Sequence, residues 1–294
     1  MMSDDSKSSP VFIGGLYKSG TSLLRAMLSK HSNIAGGLET FWFDLDFSGK
    51  DLKANKRNWD GTRNEPLQEH VSRLAAYYDI NKETALAVAE QCSSGEEFID
   101  IFMSQHARQT GKNRWVEKTP ANTLHIERIF TFWPQAYFIH VVRDPRDVYS
   151  SNAFKSQEWS DPVTFSNLWI KFISAHEEAK KTNWSRSMIE IRYEDLVLYP
   201  EETMRDILEF IREPWENSVS VFHGESKDLE KVQYITGKIS STLMRLSQPL
   251  STTRIGAWKK ELSAAEKLSQ LEEIIQQAGF NEIWNAYKYS ACQR

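Results

Sequence analysis

The stretch that decides the fold is Pro10–His31, PVFIGGLYKSGTSLLRAMLSKH, near the start of the 294-residue chain. Its apolar run Val11–Ile13 predicts a short β-strand, two glycines end that strand, and residues 17–21 form a loop. Apolar residues at helical spacing over residues 21–29 then predict a helix. A strand, a glycine-containing loop and a helix N-terminus bring unpaired amides and the helix dipole to one point, which makes an anion site.

The loop differs from a Walker A sequence in the position of its lysine. The spacing Gly15-x-x-x-x-Gly20 fits that motif, but Thr21-Ser22 follows where Lys-[Ser/Thr] is required. The lysine lies inside the loop instead, as Lys18. A nucleoside triphosphate site would therefore lack its lysine on the β- and γ-phosphates, whereas Lys18 suits a shorter phosphate chain that reacts close to the loop. An ordinary glycine turn before a helix is the alternative interpretation of this stretch.

The composition limits the function classes. Hydrophobic residues make up 40% of the chain, enough for a large core, and a net charge of −4 argues against nucleic acid as a partner. Cys92 and Cys292 form no metal or redox motif, so we expect reduced thiols and a cytoplasmic protein. No apolar run approaches the roughly 18 residues that a membrane span needs. We expect a polar, disordered tail over residues 1–9 and one soluble domain over residues 10–294, with its oligomeric state open.

Strands that alternate with helices predict the fold class. The apolar runs at 135–142 and 188–193 predict two further strands, and the first of them is apolar nearly throughout, as in a sheet covered on both faces. We interpret residues 115–120 as a link and residues 48–63 as a loop. Helices are predicted over residues 65–79, 82–92, 95–109, 121–132, 200–212, 264–278 and from 162 onward. The expected fold is α/β: a P-loop-containing central parallel sheet flanked by helices, with helical insertions, in three α/β/α layers.

A second polar cluster, RDPRDVYSS at residues 143–151, leaves the carboxyl end of the strand predicted at 135–142. A doubly wound sheet binds its ligands at that edge. Arginine forks and serine hydroxyls suit a phosphate monoester. Alternatively, Asp144 and Asp147 pair with the two arginines and form a structural turn.

Four segments in the right order resemble PAPS-dependent sulfotransferases, and the tyrosylprotein and bacterial branches in particular. GGLYKSGTSLLRAML (14–28) resembles the family's 5′-phosphosulfate loop. VVRDPRDVYSSNAF (141–154) resembles the 3′-phosphate motif, in which the family's Arg falls on Arg143 and its Ser on Ser151. The segment IRYEDL (191–196) and the segment RIGAWK (254–259) match two later parts of the family pattern.

The resemblance implies that the protein moves a sulfuryl group from PAPS to a hydroxyl or amine and releases 3′,5′-ADP (PAP), with no metal required. It also implies a set of cofactor-binding residues: Lys18, Ser19, Gly20, Thr21, Ser22, Arg143, Ser151 and Tyr193. The family's basic triplet is Ser-Thr-Thr at residues 251–253 of this chain, so Arg254 becomes the expected substitute ligand of the 3′-phosphate.

Three residues are the catalytic candidates under this resemblance. Lys18 is expected to meet the charge that develops on the leaving phosphate. Glu39 follows Gly36-Gly37-Leu38, a context that resembles the base glutamate of tyrosylprotein and bacterial relatives; a capping or surface glutamate is the alternative. Lys118 resembles the lysine of the family's Lys-Thr-Pro segment beside the reaction centre, and a structural salt bridge is the alternative. His125 is kept as a reserve base.

The acceptor is not decided by the sequence, and small-molecule, glycan, lipid and peptide hydroxyls all remain open. Residues 44–64 and 220–250 are the expected acceptor-side segments. Arg245, in the second segment, either favours an anionic acceptor or lies on a solvated helix face. Trp42, near Glu39, either contacts the acceptor or belongs to the core. The rival functions are a P-loop kinase or nucleotide-binding protein and a non-catalytic scaffold of the same fold.

Overall fold

The structure, a computed structural model, describes residues 9–44, 55–57, 64–151, 160–222, 224, 227–261 and 265–288. The strands within these ranges are β1 (Val11–Gly14), β2 (Ile34–Gly36), β3 (Asn55–Arg57), β4 (Asn64–Pro66), β5 (Arg114–Lys118), β6 (Tyr137–Val142) and β7 (Met188–Arg192). The first helices are α1 (Thr21–Leu28), α2 (Leu67–Tyr77), α3 (Lys82–Gln91), α4 (Gly95–Gln109), α5 (Ile126–Phe132), α6 (Pro145–Tyr149) and α7 (Pro162–Lys180). The later ones are α8 (Tyr193–Leu198), α9 (Pro200–Phe210), α10 (Lys227–Thr236), α11 (Ser241–Leu246), α12 (Trp258–Glu261), α13 (Ala265–Gln277) and α14 (Asn281–Tyr287).

A parallel sheet with the strand order β2-β5-β1-β6-β7 forms the centre of the described fold. The strand β1 lies in the middle, with Val11 opposite Val116 on β5 and opposite Tyr137 on β6. At the edge, β7 pairs with β6 up to the pair Val142 and Arg192. Because these strands run in one direction, their carboxyl ends meet at one edge of the sheet, where ligands of such folds bind.

Helices cover both faces of this sheet. Successive side chains of β1 point to opposite faces, so Phe12 packs into one apolar core with α2, α3, α4 and α5. Val11 and Ile13 pack on the other face with α1, α9 and α11. A third apolar cluster, formed by α6, α7, α13 and α14, packs beneath Leu16 of the phosphate loop. This arrangement confirms the predicted α/β fold with a parallel sheet in three layers.

Four strands (β2, β3, β4 and β5) and several short helices were not predicted from the sequence. The helix expected over residues 95–109 matches α4 residue for residue, because its amphipathic pattern and its cap at Ser94 are strong. The interpretation of residues 115–120 as a link is wrong, since β5 occupies residues 114–118. All five of its residues are buried, and three of them are charged, so the segment lacks the apolar pattern of a buried strand. The short edge strand β2 was missed as well.

Some predictions fall wholly or partly outside the described residues. These are most of the tail over residues 1–9, the cap of the helix near residue 264, and the loop over residues 48–63. Within that loop, residues 55–57 form β3, which pairs with β4, so the loop interpretation is wrong there. The single domain over residues 10–294 stays a prediction. None of the helices in the described part of the chain has both the length and the hydrophobicity needed to cross a membrane.

Candidate active site

The phosphate loop connects β1 to α1 through a strained backbone. Lys18 has a φ of 69°, a left-handed conformation that non-glycine residues rarely adopt. Gly20, directly before α1, has a φ of 100°, and a Cβ there would lie 2.5 Å from the ring of Tyr193. The loop is closed by the Ser19 amide, which donates to the Leu16 carbonyl at 3.1 Å. The first amides of α1 therefore open toward the carboxyl edge of the sheet, as an anion site requires.

Arg143 joins the phosphate loop to the C-terminal part of the chain. Its guanidinium donates to the carbonyl of Lys18 at 2.9 Å and to the carbonyl of Arg254 at 2.7 Å. It also lies over the ring of Tyr193, with its Cζ atom 4.5 Å from the ring centroid. The side chain is buried, and its Nε has no hydrogen-bond partner among the described residues. A buried donor of this kind needs an acceptor, and an anionic ligand can supply one.

The two arginines after β6 have different roles. Arg146 forms a bidentate pair with Asp144, with nitrogen–oxygen distances of 3.0 and 2.7 Å, so for this residue the structural-turn interpretation holds. Asp147 accepts hydrogen bonds from the amides of Gly256 and Trp258, at 2.7 and 2.9 Å, and its carboxylate is 3.9 Å from Arg143. Asp147 therefore anchors the C-terminal segment beside Arg143. The guanidinium of Arg143 stays at the edge of the sheet.

A cavity of about 420 Å³ opens at this edge of the sheet. Of the predicted site residues, Lys18, Gly20, Thr21, Ser22, Glu39, Arg143, Tyr193 and Arg254 line it. Ser19, Lys118 and Ser151 are not among the described residues that line the cavity, and all three are almost fully buried. Four cationic side chains face the cavity (Lys18, Arg143, Arg245 and Arg254), whereas Glu39 is the single carboxylate among its lining residues. The cavity thus combines a phosphate loop with a strong excess of positive charge.

Arg245 lines the cavity, a position that the sequence alone did not establish. It lies on α11, and of the two alternatives that the sequence left open for it, neither stated this position, at which the structure places it. Burial lowers its pKa, and the guanidiniums of Arg254 and Arg143 lower it further. Arg254 has a raised pKa, since it forms a bidentate pair with Glu261. Nothing in the local sequence signals the position of Arg245, because it depends on the packing of α11 against α1.

Two of the catalytic candidates, Glu39 and Lys118, contact each other next to the cavity. Lys118 donates to Ser22 Oγ at 2.9 Å and forms a very short contact with the carboxylate of Glu39. The salt bridge expected as the alternative role of Lys118 therefore exists, and its partner is the candidate base. Burial lowers the pKa of Lys118, and the neighbouring Glu39 opposes that shift. Glu39 remains partly exposed and faces the cavity.

Lys18 lines the same cavity, and the charges of Glu39 and Lys118 both act on it. Its Nζ donates to the hydroxyl of Thr242 on α11 at 3.1 Å. Burial lowers the pKa of Lys18; Glu39 opposes this effect, and Arg245 and Lys118 add to it. Lys18 and Glu39 therefore share the cavity, and Lys118, which is not among its lining residues, contacts the carboxylate of Glu39.

The aromatic residues after Glu39 belong to the core. Trp42 is 1% exposed, stacks on Phe98 with a centroid distance of 4.3 Å, and lies outside the cavity. The hypothesis that it contacts the acceptor is therefore wrong, and the alternative of a core residue is confirmed. His125 does not line the cavity either; its ring lies 6.0 Å from that of Phe43.

One cluster of metal-ligating residue types exists among the described residues, away from this cavity. His176 Nδ1 lies 3.7 Å from Glu177 and 3.6 Å from Glu190. Both carboxylates have partners within the chain: Tyr287 donates to Glu190 at 2.6 Å, and Lys180 pairs with Glu177 at 2.8 Å. These contacts are typical of a hydrogen-bonded network, and the prediction that no metal is required stays a prediction.

The sequence model of one known family matches residues 10–217 of this chain, and its description is "Sulfotransferase family". The chain belongs to that family. The matched range includes the phosphate loop, Glu39, Lys118 and Arg143. The fold agrees with this membership, because the chain superposes on two solved sulfotransferase domains. One is the sulfotransferase domain of the olefin synthase of Synechococcus PCC 7002 (TM-score 0.65, 18% identity, 96% of each chain covered). The other is the sulfotransferase domain from the curacin biosynthetic pathway (TM-score 0.64, 17% identity, 93% of this chain and 98% of that chain).

Curated relatives of this sulfotransferase-family chain include two animal proteins. The protein-tyrosine sulfotransferase of Drosophila melanogaster is 24% identical over 290 residues, which cover 95% of this chain and 53% of that protein. Protein-tyrosine sulfotransferase 1 of Danio rerio is 24% identical over 291 residues, which cover 95% of this chain and 74% of that protein. The chain thus spans about half of the length of the Drosophila protein.

Proposed function

We propose that the protein is a PAPS-dependent sulfotransferase that moves a sulfuryl group to a hydroxyl acceptor and releases PAP. The observation that carries this proposal is the cavity, in which a phosphate loop and four cations face one carboxylate, Glu39. Membership of the sulfotransferase family supports it. The acceptor remains a choice among small-molecule, glycan, lipid and peptide hydroxyls, and tyrosine peptides merit a test because two relatives are named protein-tyrosine sulfotransferases. The cytoplasmic location stays a prediction.

In this proposal the cavity holds a nucleotide with phosphates at both ends. The amides at the start of α1 and the hydroxyls of Thr21 and Ser22 would hold the 5′-phosphate. Arg143, with its buried and unpartnered Nε, would hold the 3′-phosphate together with Arg245 and Arg254. The role of Ser151 in this contact stays a prediction, since its side chain is buried outside the cavity lining.

PAPS supplies an activated sulfuryl group, whose bond to the 5′-phosphate oxygen breaks as a bond from sulfur to the acceptor oxygen forms. Glu39 would accept the proton of the acceptor hydroxyl, since its carboxylate faces the cavity. Lys18 and Lys118 would stabilise the negative charge that develops on the leaving phosphate and on the sulfuryl oxygens. Catalysis in this arrangement consists of positioning and electrostatic stabilisation, as in phosphoryl transfer.

Nucleotide-dependent thermal stabilisation separates the proposed function from its rivals. PAP should raise the melting temperature, whereas ATP with Mg²⁺ should have little effect, because the lysine that would meet a triphosphate is displaced into the loop. Labelled PAPS incubated with a panel of phenols, alcohols, glycans and tyrosine peptides then tests transfer. A non-catalytic scaffold would bind PAP and transfer no label to any acceptor, and a P-loop kinase would prefer ATP.

A further inference from the structure

Glu117 is a buried carboxylate that the proposed reaction does not use. It lies in β5, directly before Lys118, and it is 0% exposed. Its Oε1 accepts hydrogen bonds from the Thr40 amide at 3.3 Å, the Thr40 hydroxyl at 2.8 Å and the Thr119 hydroxyl at 2.8 Å. Its Oε2 accepts from the side-chain amide of Asn122 at 2.5 Å. Four donors thus converge on one charged group inside the protein, which offsets the cost of burying it.

Further hydrogen bonds fix which group donates and which accepts at Glu117. The hydroxyl of Thr40 also accepts from the amide of Trp42 at 3.3 Å, and the hydroxyl of Thr119 accepts from the amide of Phe41 at 3.2 Å. Each hydroxyl is therefore free to donate its own proton to Glu117. Since every neighbour donates, the arrangement suits an ionised carboxylate. Burial raises the pKa of Glu117, and these same hydrogen bonds oppose that shift.

The segment that Glu117 contacts, residues 38–42, carries the candidate base Glu39. Further bonds hold its other side: Tyr78 donates to the Leu38 carbonyl at 2.5 Å, and His70 donates from Nε2 to the Thr40 carbonyl at 2.8 Å. The direction of the second bond follows from Arg73, which occupies the other nitrogen of His70 at 2.7 Å.

This segment also contains a strained residue. Phe41 has a φ of 52°, a conformation that costs free energy and needs support from its surroundings. Glu117 and the Thr119 hydroxyl accept hydrogen bonds from the amides of Thr40 and Phe41, and these bonds supply that support on the β5 side. Asn122 extends the connection to β1, the strand before the phosphate loop, because it also donates to the carbonyl of Ile13 at 3.0 Å.

We propose that Glu117 is a positioning residue for the transfer reaction: it fixes the backbone around Glu39 while the next residue, Lys118, binds the carboxylate of Glu39 itself. Successive side chains of a strand point to opposite sides, so β5 holds the base segment from two directions at once. A base must lie within hydrogen-bond reach of the acceptor hydroxyl, and a displacement of about 1 Å can cost roughly 100-fold in rate. This inference rests on the proposed function of Glu39.

The first test does not depend on any acceptor. In Glu117→Gln a neutral amide replaces the carboxylate, so at least one donor faces an NH₂ group, and the bonds to Thr40 and Thr119 weaken because they are no longer charge-assisted. We expect amide hydrogen exchange in a peptide covering residues 38–42 to accelerate at least about tenfold, while β6 stays protected. Glu213→Gln is the matched control, because Glu213 is a buried carboxylate that pairs with Arg114 at the other end of β5 at 2.9 Å. It should lower the melting temperature and leave exchange over residues 38–42 unchanged. Unchanged exchange in Glu117→Gln would overturn the proposal.

The second test separates positioning from general stability. With the acceptor identified in the labelled-PAPS screen, Glu117→Gln should lower kcat at least about tenfold while the KM for PAPS and the Kd for PAP stay within about twofold. Thr40→Val removes one donor and should lower kcat in the same way, and Thr40→Ser should restore most of that loss. If exchange accelerates without a loss of kcat, or if kcat and PAP affinity fall together, Glu117 is a stabilising residue only. If the wild-type protein transfers no sulfate, the proposed function fails, and the exchange test still decides whether Glu117 holds the segment.

Discussion

Arg143 donates a hydrogen bond to the carbonyl of Lys18 at 2.9 Å, and this contact links the two phosphate-binding segments of the chain directly. The sequence separates them by 125 residues, and the parallel pairing of β1 with β6 brings them together. Since Lys18 has a left-handed backbone, the guanidinium of Arg143 supports the strained point of the phosphate loop. A single side chain thus stabilises the loop and faces the cavity.

Replacement of Arg143 by lysine should weaken PAP binding about tenfold or more, because lysine cannot bond two carbonyls and a phosphate with one planar group. Isothermal titration calorimetry with PAP measures the change. Arg146→Lys is the matched control, since Arg146 pairs with Asp144 and should affect the melting temperature rather than PAP affinity. Equal losses of PAP affinity in both variants would contradict the assignment.

Replacement of Lys18 by alanine should reduce sulfate transfer at least about 100-fold, because it removes a cation that meets the charge on the leaving phosphate. The rate of label transfer from PAPS to the acceptor found in the screen is the measurement. Lys238→Ala, at an exposed lysine away from the cavity lining, should retain the wild-type rate. Turnover that persists in Lys18→Ala would show that another group carries this charge.

Arg245→Gln should weaken PAP binding by about tenfold, the effect of one charge-assisted hydrogen bond that solvent partly screens. The reason is its position at the cavity beside Arg143 and Arg254. Calorimetry with PAP tests this, with Lys227→Gln on the exposed side of α10 as the control. A Kd that does not change would remove Arg245 from the nucleotide site.

Trp42→Ala should destabilise the protein by about 3 to 5 kcal/mol, since it deletes a fully buried aromatic side chain that stacks on Phe98. Urea denaturation measures the free energy of unfolding. In the folded fraction, the acceptor KM should equal that of the wild type, because Trp42 lies outside the cavity lining. A raised acceptor KM with unchanged stability would restore the original hypothesis that Trp42 contacts the acceptor.

His176 should make the protein sensitive to acid. Burial, with a smaller effect from Lys180, lowers its pKa from 6.5 to about 4. Between these values the unfolded chain binds a proton that the folded protein does not, so stability falls as the pH falls from about 6.5 toward 4. The expected contribution is about 2 kcal/mol between pH 7 and pH 5. Urea denaturation of the wild type and of His176→Phe at both pH values measures it, and identical losses in the two proteins would exclude this role.

The sequence predicts the parts of the site that are local in the chain. The glycines and hydroxyls around Lys18 carry the geometry of a phosphate loop by themselves, and the RDPRD segment follows an apolar strand that could be recognised. Arg245 and Thr242 could not be found in this way, since their place at the cavity depends on how α11 packs over α1. The same holds for Ser151, whose burial outside the cavity lining no local pattern reveals.

The strand β5 could not be predicted from the sequence for a different reason. Its sequence RWVEK has three charged residues in five, so its periodicity does not indicate a strand that is buried along its whole length. Each of these charges has a specific partner: Glu213 for Arg114, four donors for Glu117, and Glu39 for Lys118. Such pairs form only in the complete tertiary structure, and therefore only the structure shows why charged residues are tolerated there.

Half of the residues that line the cavity lie beyond residue 217, where the family match ends. The matched portion supplies the loop, Glu39 and Arg143, and the rest of the wall comes from residues beyond the match. A fragment cut at residue 217 would keep the phosphate anchor and lose the enclosure around it. Grafting residues 218–261 from another member onto this sheet would thus exchange the enclosure and leave the anchor in place.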